Sequence, residues 1–109
     1  MAASSQDQVD RMEIYIRVQE REGQILVAAC DREVLGKTFS EGVLEFTVKK
    51  DFYCGELKDI KELSSELSGA TMANLAGNNV VDSALKQGYI CPENVLNIGG
   101  LKHAQFVLI

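Results

Sequence analysis

His103 is the single histidine of the 109-residue chain, and imidazole is the one side chain whose unperturbed charge changes near neutral pH. It stands in the run Gly99-Gly100-Leu101-Lys102-His103-Ala104-Gln105. A double glycine lets the backbone turn tightly or come close to a ligand. Gln105, two residues on, shares a strand face with His103 and can orient it or read a polar ligand. Acid–base work or polar recognition is the chemistry on offer. A plain hairpin at Gly99-Gly100 followed by a partly buried strand explains the same spacing without any ligand, and it is the stronger account.

A second candidate is the opening of a helix at Gly77-Asn78-Asn79. Free amides and the positive end of the helix dipole can hold a phosphate or carboxylate there, with Asn74 as a further donor. Gly77-Asn78 is also ordinary capping chemistry, and no Walker-type or dinucleotide-type glycine pattern accompanies it, so no nucleotide cofactor is expected. Cys30, Cys54, Cys91 and His103 match a zinc ligand set in number but are all isolated, whereas zinc sites draw on close pairs. No metal is expected. Cys54 before Gly55 and Cys91 before Pro92 are conceivable nucleophiles, yet the sequence assigns neither of them the cationic neighbour that a reactive thiolate requires.

The elements that position these residues follow from periodicity. Residues 1–11 are small and polar, which predicts a mobile tail before a single domain over 12–109. Ile14, Ile16 and Val18 alternate with polar residues, as in a strand with one wet face. The turn Glu20-Arg21-Glu22-Gly23 leads to the apolar run 24–30, a central strand paired as a hairpin. Val43 to Val48 is a further strand, and Phe52-Tyr53-Cys54-Gly55 brings two aromatics to a bend at one end of the core. Leu57, Ile60, Leu63 and Leu67 then fall on one helical face, with Gly69 at the expected left-handed cap. Ala70 to Ala76 is ambiguous in type. Val80, Val81, Ala84 and Leu85 are the buried stripe of a second helix, capped by Asn78 and ended by Gly88. Val95 to Ile98 and His103 to Ile109 close the chain as two strands across Gly99-Gly100. Strands, two short helices, then strands predict an α+β domain with a mostly antiparallel sheet.

Composition narrows the partners. The net charge of −5 opposes nonspecific binding to a polyanion. Lys49, Lys50, Lys58 and Lys61 cluster, but Asp51, Glu56, Asp59 and Glu62 interleave with them, as on a mixed, solvated surface. With no apolar run of about 20 residues and no signal-like start, no membrane is expected and a cytoplasmic location is. Three widely spaced cysteines agree with a reducing compartment.

Three irregular blocks carry a resemblance to an archaeal family, domain-of-unknown-function family 424: Val34-Leu35-Gly36-Lys37-Thr38-Phe39 with Glu41-Gly42; Phe52-Tyr53-Cys54-Gly55-Glu56; and Ala73-Asn74-Leu75-Ala76-Gly77, Pro92-Glu93-Asn94-Val95-Leu96 and Gly99 to Gln105. The resemblance covers 12–109. Cys54 stands where members often have a second glycine, which argues against an essential nucleophile, and Lys102 stands where they often have proline, which loosens the presentation of His103. The resemblance implies an archaeal cytoplasmic protein and brings no established activity with it. The expected function is a non-catalytic binding module, a monomer or weak homodimer, serving the ribosome, RNA or a protein of the translation machinery. The alternative is a small enzyme or small-molecule or anion binder in which His103, with Gln105 and Asn74, meets Gly77 or Lys37 in a concave site. The candidate binding residues are Gly36, Lys37, Asn74, Gly77, Asn78, Gly99, Gly100, His103 and Gln105.

Overall fold

The computed structural model describes residues 12–108; the tail expected over 1–11 lies outside the described residues. Strands β1 (Glu13–Arg21) and β2 (Gln24–Asp31) pair antiparallel from Ile14↔Asp31 to Arg21↔Gln24. The connection is the two-residue turn Glu22-Gly23, so the expected hairpin forms with a tighter turn than the polar run suggested. Because Cβ atoms alternate across a strand, Ile14 and Ile16 go to one face of the sheet and Tyr15 and Arg17 to the other.

The ambiguous stretch 70–76 is the middle of the sheet. It forms β6 (Met72–Ala76), between β3 (Thr38–Glu41), β4 (Leu44–Thr47) and β5 (Glu56–Asp59) earlier in the chain and β7 (Leu96–Ile98) and β8 (Leu101–Val107) later. β6 runs parallel to β2 and antiparallel to β8, and the six-stranded order is β5-β1-β2-β6-β8-β7. All other pairings are antiparallel, so the α+β class and the mostly antiparallel sheet stand as expected. β3 and β4 form a separate hairpin.

Three α-helices are present among the described residues: α1 (Lys50–Tyr53), α2 (Leu63–Ser68) and α3 (Asn78–Lys86). None is long and apolar enough to cross a membrane. The helix expected from Leu57 starts six residues late. Leu57 belongs to β5, where it pairs with Tyr15, and the Asp59 carboxylate accepts from the Lys61 amide, starting a 3₁₀ turn over Ile60–Glu62. That local bond competes with helix further upstream. Gly69 has φ −99°, so α2 ends without a left-handed cap. Gly88, at φ +82°, does terminate α3.

The sheet buries both faces. On one, Ile14, Ile16, Val27, Ala29, Ala73, Leu75 and Ala104 pack against Leu63, Leu67, Val80, Val81 and Ala84 of the helices. On the other, the small side chains Ala28, Cys30 and Ala76 leave room for Val48, Tyr53, Phe39, Phe46 and Phe52, carried by the β3–β4 hairpin and α1. Leu75 has no exposed surface, whereas Val43 at the hairpin tip is fully exposed. We expect Leu75→Ala to lower the unfolding free energy by about 2–5 kcal/mol in urea titrations, and Val43→Ala to change it by less than about 0.5 kcal/mol.

Candidate functional site

Register decides which candidate residues meet. β6 and β8 align Asn74 with Gln105 and Ala76 with His103. The Gly77 amide donates to the Lys102 carbonyl and the Leu108 amide to the Thr71 carbonyl, which fixes the alternation of the ladder. Asn74 and Gln105 are therefore a non-hydrogen-bonded cross-strand pair, the kind in which opposed side chains stand closest. His103 follows on the same face. These three, with Glu45, Phe46, Thr47, Lys49, Phe52 and Tyr53, line a cleft of about 460 Å³. One wall is two amides and an imidazole; the other carries the aromatic rings of Phe46, Phe52 and Tyr53 together with Glu45, Thr47 and Lys49.

The His103 ring leans on Phe46, with centroids 4.6 Å apart and planes at 54°. Burial lowers its pKa below 6.5, so the imidazole is neutral at pH 7 and has one donor and one acceptor nitrogen. Among the described residues none hydrogen-bonds it, so nothing fixes its tautomer. Two other groups on this face of the sheet are also held neutral, in their case by keeping the proton. Burial pushes the Cys30 thiol up to about 12 and raises the Tyr53 hydroxyl. Cys54 and Cys91 are exposed free thiols, and among the described residues no cluster of three or more His, Cys, Asp or Glu side chains could hold a metal.

The start of α3 corrects the expectation of an open anion site. Asp31, at the end of β2 and only 5% exposed, already occupies it. Its Oδ2 accepts from the Asn79 amide at 3.0 Å and the Asn79 side chain at 3.1 Å, and its Oδ1 accepts from the Val80 amide at 2.9 Å. Burial raises the Asp31 pKa, with Glu33 adding to it, while the two amides pull it back down. Asn78 does not cap the helix as expected; Gly77 holds that position. The Asn78 side chain accepts from the Lys102 amide instead. Gly77, at φ +118°, packs directly on the Asp31 carboxylate, and a Cβ there would overlap it.

The remaining candidates lie elsewhere. Gly99 and Gly100, at φ +56° and +90°, form the two-residue turn between β7 and β8. The Gly99 amide donates to Glu41 Oε1, tying this turn to the β3–β4 hairpin. Gly100 and Asn78 share a small recess with Asp31 and Phe39. Gly36 and Lys37 are exposed and bonded through their backbones to Val48, and neither lines the cleft. His103 thus meets Asn74 but not Gly77 or Lys37. A larger recess of about 670 Å³, beside Glu13, Asp31, Arg32 and Asn79, is lined by groups that bond one another, Arg32 to Glu13 and Asn79 to Asp31.

Sequence reasoning missed Phe46, Lys49 and Asp31 as parts of these sites. A carboxylate closing an otherwise apolar strand was a signal for Asp31. Phe46 and Lys49 gave none, since their approach to β8 depends on how a separate hairpin folds over the sheet.

A family model described as "protein of unknown function (DUF424)" matches residues 19–109. The chain belongs to this family. A crystal structure of an uncharacterized conserved protein from Methanopyrus kandleri is similar in fold, with a TM-score of 0.72 and 14% identity over 86% of this chain and 90% of that one. Comparison with curated proteins gives no match.

Two outcomes follow for this DUF424 chain. Asp31→Ala should cost roughly 2 kcal/mol of stability, since it takes the carboxylate acceptor away from the Asn79 and Val80 amides of α3; thermal unfolding measures it. For His103 the folded pKa lies below the unfolded one, so the unfolded chain binds more protons once pH falls below about 6.5, and stability drops as the solution is acidified. Asp31, with its raised pKa, works in the opposite sense. His103→Gln should therefore flatten the acid-side loss seen in unfolding measured from pH 7.5 to 5.

Proposed function

We propose that the chain is a non-catalytic binding module serving RNA or the translation machinery, and that its cleft receives a flat, hydrogen-bonding ring such as an unstacked nucleobase. The observation that supports this most is the cross-strand pair Asn74 and Gln105, beside neutral His103, facing Phe46, Phe52 and Tyr53 across about 460 Å³. Amide side chains match the donor and acceptor edges of bases, and aromatic side chains offer stacking surface. Lys49 at the rim can meet one phosphate. The net charge of −5 keeps affinity for the rest of the backbone low, which favours a local, base-directed contact over sliding along a polyanion.

The same residues offer less to a catalyst. His103 has no described orienting partner, and the Cys30 thiol and Tyr53 hydroxyl are held protonated by burial. An acid–base role needs a group that positions the imidazole.

Titration with short oligouridylate, oligocytidylate and oligoadenylate, followed by amide and side-chain shifts in NMR, tests the proposal. We expect shifts confined to Asn74, His103, Gln105 and Phe46. Asn74→Ala and Gln105→Ala should each weaken binding about tenfold or more, the loss of one good base contact. Binding that leaves these signals unmoved, or no binding by any of the three, rules the proposal out.

A further inference from the structure

The two edges of the six-stranded sheet are defended unequally. An unpaired strand edge is a template for another chain, and proteins blunt such edges with charge, proline or cover. β5, one edge, has Glu56, Lys58 and Asp59 among its four residues, with Lys58 paired to Glu66. At the other edge β7 is only Leu96–Ile98 and pairs with β8 from Leu101 to His103. The run Ala104-Gln105-Phe106-Val107-Leu108 extends beyond that cover, and it contains no charge and no proline.

The ladder tells which groups are left over. Lys102 and Leu108 are bonded toward β6, so Ala104 and Phe106 are too by alternation. The N–H and C=O groups of Gln105 and Val107 therefore point to the open edge, and no described residue hydrogen-bonds them. Leu96, Val107 and Leu108 are exposed around them. A recess of about 580 Å³, lined by Glu93, Asn94, Leu96, His103, Ala104 and Gln105, runs along the same edge.

We infer that this edge is a docking site for an extended, basic peptide segment of a partner protein, which adds as a strand beside Gln105 and Val107 in line with β7. Side chains directly opposite one another share a face of a sheet. Peptide residues opposite Gln105 and Val107 therefore share the face of those side chains, and the one opposite Gln105 borders the recess, where Glu93 attracts a lysine or arginine. The residue between them lies opposite Phe106, which stacks on Tyr89 with centroids 6.5 Å apart, and so it is apolar. The matching sequence alternates basic and apolar residues. A second copy of this chain fits less well, because a symmetric pairing of β8 brings Glu93 and a net charge of −5 to both sides. The inference stands apart from the base-binding cleft, although Gln105 borders both.

The test uses the full chain and a fluorescein-labelled six-residue peptide of alternating lysine and valine. Expected are NMR shifts at Gln105, Phe106 and Val107, with affinity reduced about tenfold or more when peptide amides at alternate positions are N-methylated, when glutamate replaces lysine, or when the protein carries Glu93→Lys. Val107→Lys, a charge placed on the open edge, should do the same, with circular dichroism confirming the fold; the methylated peptide needs no protein variant. Absence of peptide binding, equal binding of the methylated peptide, or shifts mapping away from β8 overturns the proposal. So does sedimentation showing a concentration-dependent dimer that the peptide fails to dissociate, which would assign the edge to a second copy. Asn74→Ala should leave peptide binding unchanged, so failure here and failure of base binding are read separately.

Discussion

A buried carboxylate joins the sheet to α3. Asp31 ends the central strand β2, and its two oxygens take the Asn79 and Val80 amides. Those amides would otherwise be among the unpaired donors of a helix start. Gly77 closes the geometry from the third side, because its lack of a Cβ lets β6 turn into α3 against the carboxylate. That contact anchors the start of α3, while Asn78 and Asp82 tie the helix to Lys102 of β8 and Val80, Val81 and Ala84 pack in the core. Burial opposes the charge while the amides favour it. Since each unmade hydrogen bond in such a setting costs about 1–3 kcal/mol, the arrangement holds only as a whole.

Two faces of one sheet then take on different work. Branched residues of β1, β2 and β6 meet the helices and supply most of the apolar burial. On the opposite face Ala28, Cys30 and Ala76 are too small to fill a layer, and the β3–β4 hairpin and α1 lean in with Phe39, Phe46, Phe52 and Tyr53. The Gly99 bond to Glu41 fastens that hairpin to the β7–β8 turn. Where the hairpin ends, Gln105 is exposed and Asn74 and His103 are only partly covered, and that gap is the cleft.

Local pattern made much of this legible. Alternation around Ile14 and Ile16, the Gly99-Gly100 turn, the α3 stripe and the shared face of His103 and Gln105 all depend on neighbours two to four residues apart. What escaped depended on distant partners. Residues 72–76 look alike as strand or helix, and only β2 and β8 on either side make them a strand. Leu57 fits a helical spacing and a strand equally, and pairing with Tyr15 decides it. The amides of α3 read as free because the carboxylate that fills them lies 48 and 49 residues away in the chain. The meeting of Asn74 with Gln105 is likewise a matter of register, which no local period encodes.

Gln105 is where these constraints converge. Its side chain faces Asn74 in the cleft, while its backbone N–H and C=O face the open edge. Side chain and backbone of a strand residue project at right angles, so one residue can border two surfaces at once. The short β7 keeps both available: a longer strand there would seal the edge, and a longer β3–β4 hairpin would fill the cleft. Economy of cover, rather than any special residue, gives this sheet its two approachable surfaces.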